Sequence, residues 1–443
     1  MQRRTFLQGG LAASAAVVAL PALRTAAQAP SEQIHVALIG AGDQGRTLLN
    51  AAAGIPGLRF RAVCDIWKYR RKSAKYLLET YKHDPAEYDD YRELLAKEKD
   101  LQAAIVATPD FLHAEQTNAC LQAGLHVYCE KSMSNSLDAA RSMVRTMRAT
   151  GRRLQIGYQR RSNPRYLYAQ KLPTHNLLGR ITHVGGQCCH AVREDLGWPK
   201  RQAIPDDMLK QYGYASMHEL RNWRSYTRYG GGPFADLGAH LVDAIDGLLK
   251  VQPRSILAGG GCDFYQGRQW YDNAMAIIEY PLSSGTVRGS FQVLTTTSGG
   301  GNWEQLLGTE ASLRLSETAR WNKVYREPHA PDWEPWVRQG LVVKDSAATA
   351  APPTPQAKPA QAEDPNEVHV RETGQVIGYD LPVTADKPPH QPHLENFFDA
   401  VRGRAELACP ADVAFRTEVV VHKVHEAIQA RRMIDLRPED FSA

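Results

Sequence analysis

The fold of this 443-residue chain is decided near its N-terminus by the stretch Val36-Ala37-Leu38-Ile39-Gly40-Ala41-Gly42-Asp43-Gln44-Gly45. A short apolar run ends here in glycines spaced as G-x-G-x-x-G, which suits a buried parallel strand that turns directly into a helix. The tight turn, the close approach of a diphosphate and the contact between strand and helix each require a missing side chain. A diphosphate would rest on backbone N–H groups of the loop, including those of Asp43 and Gln44, at the positive end of the helix dipole. The stretch predicts a dinucleotide-binding βαβ unit.

A carboxylate in the right place supports this interpretation. Asp65 ends a second predicted strand, 20 residues after Gly45, where a carboxylate can bind the hydroxyls of a ribose. Its charge would repel the additional phosphate of NADP, so the sequence favours NAD. Lys68, Arg70 and Arg71 follow closely and keep NADP open, although a solvated helix start explains them as well.

Strand and helix patterns alternate up to about residue 150 and predict an α/β fold that begins with a doubly wound parallel sheet. We assign residues 31–150 to this NAD(P)-binding Rossmann domain. The predicted elements after the first strand, 34–39, are a helix at 46–53, strands at 60–65 and 101–108, a helix at 114–123, a strand at 126–129 and a helix at 136–150.

After residue 151 the pattern changes to strands separated by turns that contain glycine and proline. Residues 151–443 therefore predict an α+β domain with an open, largely antiparallel sheet, and residues 346–362, rich in alanine and proline, predict a flexible insertion. The strands are predicted at 180–190, 254–262, 273–280, 285–297 and 312–316, and the helices at 234–249, 392–401 and 412–430.

The first 29 residues have the parts of an export signal. Arg3 and Arg4 lie in the stretch Gln2-Arg3-Arg4-Thr5-Phe6-Leu7-Gln8, an apolar run follows, and small residues come before the expected cleavage after Ala27. This pattern predicts a twin-arginine signal, recognition by the twin-arginine machinery and export of the folded protein to the periplasm. Because free nicotinamide cofactor is scarce there, we expect a tightly held cofactor that is regenerated in place.

Composition excludes several other classes of protein. The formal net charge of +5 falls to +2 without the three arginines of the leader, which is too near neutral to indicate nucleic acid binding. The seven cysteines are odd in number and form no C-x-x-C motif, so we expect no structural disulfide. Cys188, Cys189, His183 and His190 fit no recognisable metal site, and we expect no metal.

Two further groups could carry chemistry. Lys131 directly follows a predicted strand, and the carboxyl ends of parallel strands face the ligand crevice, so this amine could reach a substrate hydroxyl. Asp236 and His240 are four residues apart on a predicted helix, where a carboxylate could hold and polarise a proton-carrying imidazole. Each residue taken alone has a simpler explanation. Lys131 could be a solvated surface lysine, Asp236 an acid favoured near a helix N-terminus, and His240 a histidine satisfied in the core.

An aromatic and basic stretch precedes the triple glycine at 230–232. Trp223, Arg224, Tyr226 and Tyr229 suit the apolar faces and hydroxyls of a sugar, although ordinary core packing explains them equally well. We take Trp223, Arg224 and Tyr229 as candidate substrate contacts.

Five motifs occur in the order and spacing of one family, and together they are far more specific than any one of them. They are Gly40–Gly45, Thr108-Pro109-Asp110-x-x-His113, Glu130-Lys131, Gly157-Tyr158-Gln159-Arg160-Arg161-Ser162-Asn163-Pro164 and Asp236-x-x-x-His240. The chain resembles the glucose–fructose oxidoreductase/inositol dehydrogenase (Gfo/Idh/MocA) family over most of its length after the leader.

The resemblance implies roles for these residues. Lys131, Asp236 and His240 would be catalytic, and Thr108, Pro109, His113 and Glu130 would lie at the cofactor. Arg161 matches a position near the domain junction and is a candidate substrate contact, although a structural role explains both Arg161 and His113 equally well. The family also implies a homo-oligomer, a dimer or tetramer formed through the open sheet.

One position departs from the family pattern. The family has Glu-Lys-Pro where this chain has Glu130-Lys131-Ser132. Proline would fix the backbone just after the lysine, whereas we expect serine to leave it freer.

Three hypotheses follow. In the first, the protein is an exported NAD(P)-dependent oxidoreductase for a sugar, polyol or related cyclic alcohol. His240 takes the hydroxyl proton, Lys131 stabilises the alkoxide-like oxygen and Asp236 orients the imidazole. In the second, oxidation of one ring carbon assists the elimination of a glycosidic bond, as in a redox-assisted glycosidase or lyase. In the third, which Ser132 alone supports, the protein binds sugar without catalysis.

Overall fold

The computed structural model describes residues 33–192, 195–345 and 376–443. The leader at 1–29 and the insertion at 346–362 lie outside the described residues. Neither prediction is therefore tested by the fold.

The first domain is built on a parallel sheet whose strand order reverses next to its first strand. The order is β3-β2-β1-β4-β5-β6, with β1 lying between β2 and β4. This is the doubly wound order that the glycine turn predicts, with the crevice at the carboxyl ends of the strands. The elements are β1 (Ile34–Ile39), α1 (Asp43–Ala52), β2 (Leu58–Cys64), α2 (Lys68–Thr80), β3 (Ala86–Tyr88), α3 (Tyr91–Lys97), β4 (Ala103–Val106), α4 (Asp110–Gln122), β5 (His126–Cys129), α5 (Leu137–Thr150) and β6 (Leu154–Ile156).

The sequence interpretation places several helix starts too late. Helix α1 begins at Asp43 rather than at 46, and α4 begins at Asp110 rather than at 114. Three residues separate each helix from the end of the preceding strand, and a single first turn is too short to show an apolar period of its own. The interpretation also omits β3, whose three residues are too few for an alternating pattern.

The second domain contains a mixed sheet of ten strands in the described residues. Its order is β14-β15-β13-β12-β11-β7-β10-β9-β8-β16, and β7 pairs with β10 in parallel while the other pairs are antiparallel. The elements are α6 (Pro164–Ala169), α7 (Lys171–Thr174), β7 (Ile181–Cys189), α8 (Asp206–Gln211), α9 (Met217–Arg221), α10 (Ala239–Leu249), β8 (Ser255–Gly261), β9 (Asn273–Leu282), β10 (Gly285–Leu294), β11 (Asn302–Gly308), β12 (Ala311–Leu315), β13 (Lys323–Arg326), α11 (Glu334–Arg338), β14 (Val343–Lys344), β15 (Ile377–Asp380), α12 (Gln391–Val401), α13 (Ala411–Ala430) and β16 (Ile434–Asp435).

One face of this sheet is covered and the other is open. Along β9 the side chains of Ala276 and Ile278 are buried, whereas Met275 and Ile277 between them are exposed. Helices α10 and α13 contact the covered face. The alternation is that of an antiparallel sheet with one packed side, except that its open side is apolar at these positions.

The chain crosses back to the first domain near its C-terminal end. Helix α12 contributes Leu394, Phe397 and Phe398 to the same buried core as Val36 and Leu38 of β1. The predicted boundary at residue 150 is therefore wrong in two places, because β6 extends the first sheet to residue 156 and α12 also belongs to that domain. The sequence of an amphipathic helix reveals its apolar face, but it does not reveal which sheet that face packs against. No helix within the described ranges is both long and apolar enough to cross a membrane.

Candidate active site

A cleft of about 770 Å³ lies between the two domains, at the carboxyl ends of β1, β2, β4 and β5. This size is typical of cavities that take a small ligand. The predicted site residues that line it are Gly40, Gly42, Asp43, Gln44, Asp65, Thr108, Pro109, His113, Glu130, Lys131, Trp223, Arg224, Asp236 and His240.

The glycine turn forms one wall of the cleft. Gly40 has a φ of +92°, and a Cβ there would lie 2.6 Å from the carbonyl of Ala107. A Cβ on Gly45 would collide with the Gly40 carbonyl, so this glycine lets α1 start against β1. A Cβ on Gly42 would meet nothing within 4 Å, so the backbone there faces open space. The turn therefore offers free N–H groups and room for a diphosphate at the start of α1.

Asp65 is held rigidly beside this turn. One carboxylate oxygen accepts a hydrogen bond from the Ala41 N–H at 2.7 Å, and the other accepts one from the Trp67 N–H at 2.7 Å. Burial raises the pKa of Asp65, although the two N–H groups oppose that shift. The fixed carboxylate lies where the sequence predicts contacts with ribose hydroxyls.

Lys131 and Asp236 meet at the other end of the cleft, across the domain junction. The Lys131 Nζ donates to the Asp236 carbonyl at 2.6 Å and to its Oδ1 at 2.8 Å. Arg224 approaches the second carboxylate oxygen, with its Nε 3.2 Å from Oδ2. Burial alone would raise the pKa of Asp236, but the charges of Lys131 and Arg224 outweigh it and hold that pKa well below its usual range.

His240 lies next to this cluster but is not bonded to it. Its Nδ1 is buried and has no hydrogen-bond partner in the described chain. Burial, and then the positive charges of Lys131 and Arg160, lower the pKa of His240 well below its usual range. The ring is therefore neutral near pH 7, with an unpaired nitrogen available to a ligand.

The predicted role of Asp236 is corrected by this geometry. We expected it to orient the imidazole of His240, but it binds Lys131 and Arg224 instead. Residues 234–238 form a turn of π-helix ahead of α10. Because π-helical winding takes more residues per turn, side chains four positions apart no longer stack as they do in an α-helix.

Ser132 is held more firmly than the replacement of proline suggests. Its carbonyl accepts a hydrogen bond from His113 Nδ1 at 2.6 Å, and its Oγ donates to the Ala235 carbonyl at 3.1 Å. The other nitrogen of His113 lies 2.7 Å from the Thr108 carbonyl. Since carbonyls only accept, both nitrogens carry protons, and the imidazolium ties β4 to the loop after β5. Lys131 is thereby fixed without proline.

Two predicted substrate contacts lie outside the cleft. Arg161 pairs with Asp243 at 2.9 Å and Asp246 at 3.3 Å, which anchors α10 to the turn after β6. Tyr229 is 1% exposed, and its hydroxyl donates to Glu219 at 2.7 Å. Both side chains therefore serve contacts within the protein, and neither lines the cleft. Trp223 and Arg224 do line the cleft, and the guanidinium carbon of Arg224 lies 4.2 Å from the Trp223 ring centroid.

A contact between distant parts of the chain adds a cleft residue that no sequence motif indicates. The amide nitrogen of Gln44 lies 3.0 Å from a carboxylate oxygen of Glu130 and 3.1 Å from Nε2 of His390. His390 comes just before α12 and lines the cleft. No motif surrounds it, so only the return of the chain to the first domain places it there. Within the described ranges no cluster of histidine, cysteine, aspartate and glutamate could hold a metal, and all seven cysteines are unpaired.

Two family models match the chain. Residues 34–158 match "Oxidoreductase family, NAD-binding Rossmann fold", and residues 166–314 match "GFO/IDH/MocA C-terminal domain". The first coincides with the sheet that carries the glycine turn, and the second includes Asp236 and His240.

Relatives agree with this match. An uncharacterized oxidoreductase, YrbE, of Bacillus subtilis is 32% identical over 232 residues, which are 52% of this chain and 58% of that protein. Inositol 2-dehydrogenase of Salmonella typhimurium is 28% identical over 155 residues, 35% of this chain and 44% of that enzyme. The chain thus spans about half the length of the curated relatives it matches.

Solved structures share the whole fold. A levoglucosan dehydrogenase in complex with NADH and L-sorbose superposes with a TM-score of 0.67 at 16% identity, covering 93% of this chain and 100% of that one. An aldose–aldose oxidoreductase from Caulobacter crescentus superposes with a TM-score of 0.64 at 18% identity, covering 91% and 100%. With both domains matched in sequence and in fold, the chain belongs to the Gfo/Idh/MocA family of oxidoreductases, whose Rossmann domain binds NAD.

Proposed function

We propose that this protein is an NAD-dependent oxidoreductase that acts on a CH–OH group of a sugar, polyol or related cyclic alcohol. One observation carries the proposal: Lys131 and His240 line the same cleft as the glycine turn, although 109 positions separate them in the sequence. When bound, the nicotinamide supplies a hydride acceptor. The protein must then bind the alcohol, position its oxygen and remove one proton.

His240 is suited to remove that proton. Its neutral ring has an unpaired, buried Nδ1, and a buried nitrogen without a partner is costly unless a ligand supplies one. A substrate hydroxyl donating to this nitrogen would relieve that cost. The hydroxyl proton then passes to the imidazole as the carbon is oxidised.

Lys131 is suited to stabilise the oxygen that loses its proton. Two of its three N–H donors are used by Asp236, and the third remains for the substrate. Asp236 orients this ammonium, which makes Asp236 a positioning residue. A fixed cation aimed at a developing negative charge lowers the barrier without reorganisation during the reaction.

The polar and aromatic lining of the cleft fits a ring alcohol. Trp223 offers an apolar surface and Arg224, half exposed beside it, offers donors to hydroxyl groups. The names of several relatives point to the same class of substrate, among them inositol 2-dehydrogenase and levoglucosan dehydrogenase.

His390 favours a second candidate function, redox-assisted cleavage of a glycosidic bond. An elimination needs a proton-transferring group besides the one that serves the oxidation, and His390 places a second imidazole at the cleft. One relative, 25% identical over 199 residues, is a 2,7-anhydro-N-acetylneuraminate hydratase, and another, 31% identical over 166 residues, is a glycosyl hydrolase family 109 protein. Product analysis separates the two functions, because cleavage breaks a glycoside into two fragments, whereas the oxidoreductase converts a hydroxyl group to a carbonyl without breaking the glycosidic bond.

We further propose export by the twin-arginine pathway and self-association. The leader motif at Arg3 and Arg4 supports export with a cofactor that stays bound and is recycled internally. The apolar open face of the second sheet, with Leu257, Met275 and Ile277 exposed, supports a homo-oligomer. Met275→Lys should shift the mass in solution toward the monomer, and Arg3→Lys with Arg4→Lys should keep the protein in the cytoplasm.

The proposed function is tested with the purified protein loaded with NAD. A panel of cyclic polyols, aldoses and glycosides is added, and the appearance of NADH absorbance is followed within one turnover. We expect reduction by at least one ring alcohol. A protein that carries the dinucleotide but is reduced by none of them, and cleaves none, would contradict the proposal.

A further inference from the structure

The cofactor cleft is closed on one side by a segment of the second domain. Residues 195–229, here called the bridging segment, run between β7 and the triple glycine and carry helices α8 and α9. Its residues Leu196, Tyr212, Tyr214, Leu220 and Arg221 line the same cleft as the glycine turn. None of the five family motifs includes Arg221.

The bridging segment is docked on the first domain through its own apolar cluster. That cluster is formed by Ile204, Leu209, Tyr214, Met217 and Tyr229, and it takes in Trp67 of the first domain, which is only 4% exposed. In the sequence Trp67 comes just after the end of β2, two positions after Asp65. The segment therefore packs on the side of the crevice where the adenosine half of a dinucleotide would lie.

Hydrogen bonds fix the same contact. The Trp67 indole donates to the Gln202 carbonyl at 2.5 Å, and the backbone N–H of Phe111 donates to the Tyr229 carbonyl at 3.2 Å. Tyr212 Oη lies 3.4 Å from the Asp89 carbonyl. These bonds join the segment to the ends of β2, β3 and β4.

Arg221 brings a positive charge from this segment to the glycine turn. It lies 3.5 Å from the carboxylate of Asp43, the first residue of α1. Asp43 is already paired more closely with Arg70, at 2.7 Å. Two guanidinium groups therefore share one carboxylate beside the free N–H groups of the turn, and both lie within about 6 Å of the Trp67 ring centroid.

The charge of Arg221 is incompletely balanced. Its Nε donates to the Gly197 carbonyl at 3.2 Å, which leaves the terminal nitrogens directed to the long contact with Asp43. Burial lowers the pKa of Arg221, and together with the charge of Arg70 it outweighs the opposing effect of the Asp43 carboxylate. A doubly charged diphosphate at Gly42 would balance both arginines and take bidentate hydrogen bonds from Arg221.

We propose that Arg221 binds the diphosphate of the cofactor and that the bridging segment must separate from Trp67 before the cofactor can leave. The second domain then completes the cofactor site instead of holding substrate alone. Slow release is the property that an enzyme with an internally recycled cofactor requires. This inference rests on the proposed use of NAD.

The test measures how fast NADH leaves the full-length protein. Protein loaded with NADH is mixed with excess NAD, and the loss of NADH fluorescence gives the dissociation rate. The Arg221→Met change removes a charge-assisted hydrogen bond to the diphosphate and should raise the dissociation rate about tenfold or more. Arg221→Lys keeps the charge without the planar fork and should fall in between. Arg201→Met, an exposed arginine of the same segment, should leave the rate unchanged.

An unchanged rate in Arg221→Met, with the wild-type melting temperature retained in the absence of cofactor, would overturn the proposal. If Arg221→Met fails to fold, Tyr212→Phe replaces it, because this change removes only the hydrogen bond to Asp89. It should release NADH about threefold faster, and an unchanged dissociation rate in Tyr212→Phe would then overturn the proposal. Wild-type protein that binds neither NAD nor NADH would overturn the proposed function as well, so the two failures are distinguishable.

Discussion

Two clusters of ion pairs lie near the domain junction, and they differ in what they leave unsatisfied. In the interior, Arg160 pairs with Glu304 and with Glu317, and Tyr166 donates to Glu304 at 2.6 Å. Arg160 is 7% exposed and Glu304 is fully buried. Every charge there has a partner within the protein, and no group is left for a ligand.

The cleft cluster is arranged differently. Lys131, Asp236 and Arg224 are 12%, 27% and 50% exposed, and the neighbouring His240 has an unpaired nitrogen. Both clusters join cations and carboxylates from separate elements. A functional cluster is therefore marked by unused hydrogen-bonding groups and access from the cleft, and not by the presence of a charge pair.

The largest effect on stability is expected in the interior cluster. Arg160→Met leaves the carboxylate of Glu304 buried without a cation, which should lower the free energy of unfolding by about 3–5 kcal/mol. Urea unfolding measures this loss. Arg224→Met is the matched control, because its side chain is half exposed and its loss should change stability by about 0.5 kcal/mol at most. Equal losses in the two variants would break the distinction between the clusters.

The corresponding effect on catalysis is expected in the cleft. Lys131→Met removes the cation aimed at the substrate oxygen and should lower turnover about 10²- to 10³-fold while NAD still binds. Steady-state rates and NAD titrations test this together. Lys97→Met, which removes a surface pair with Glu93, should leave turnover unchanged. A Lys131→Met enzyme with a normal rate would remove Lys131 from the mechanism.

A third case is Glu418, a buried carboxyl that has no ion-pair partner among the described residues and whose titration makes stability depend on pH. Glu418 accepts hydrogen bonds from the Met133 N–H at 2.8 Å and from the Tyr158 hydroxyl at 2.9 Å, and its other oxygen has no partner. Burial raises the pKa of Glu418 to about 7. The folded protein therefore binds a proton that the unfolded chain releases between about pH 4 and pH 7.

The sign of the effect follows from this linkage. The stability due to protonated Glu418 is complete below about pH 4 and is lost as the pH rises through about 7. Glu418→Gln keeps the shape without the charge, so its stability relative to wild type should rise by up to about 3 kcal/mol between about pH 5 and about pH 8. Urea unfolding at both pH values is the measurement. A difference between the two proteins that does not change with pH would show that Glu418 does not titrate in this range.

The smallest effect is expected for cofactor choice. Asp65 bonds only to backbone N–H groups, so its charge is available to repel a 2′-phosphate. Asp65→Ser should improve binding of NADP relative to NAD about tenfold. Dissociation constants for both nucleotides give this ratio. An unchanged ratio would mean that Arg70 and its neighbours, rather than Asp65, set the preference.

Local pattern predicted much of the fold. The bounds of β1 and β5 match the sequence prediction, because short, largely buried parallel strands have largely apolar runs. Helix α12 was found in the sequence but placed in the wrong domain, since its apolar face does not encode which sheet it meets. Long-range pairing is set by packing of the whole chain.

The site was predictable where a motif carries its own geometry. The glycine turn and Asp65 are local, and Lys131 follows from its position at a strand end. The predicted contact between Asp236 and His240 is wrong because a π-helical turn changes the spacing of side chains. His390 and Arg221 have no local signal, because each reaches the cleft only through the tertiary fold.

The most direct test of the central claim concerns the unpaired nitrogen of His240. Wild-type and His240→Ala proteins, loaded with NAD to the same extent, are mixed with the ring alcohol that reduces the wild type, and NADH formation is followed within a single turnover. Loss of the proton acceptor should slow reduction about 10²- to 10⁴-fold without loss of NAD. Reduction at the wild-type rate in His240→Ala would contradict the account.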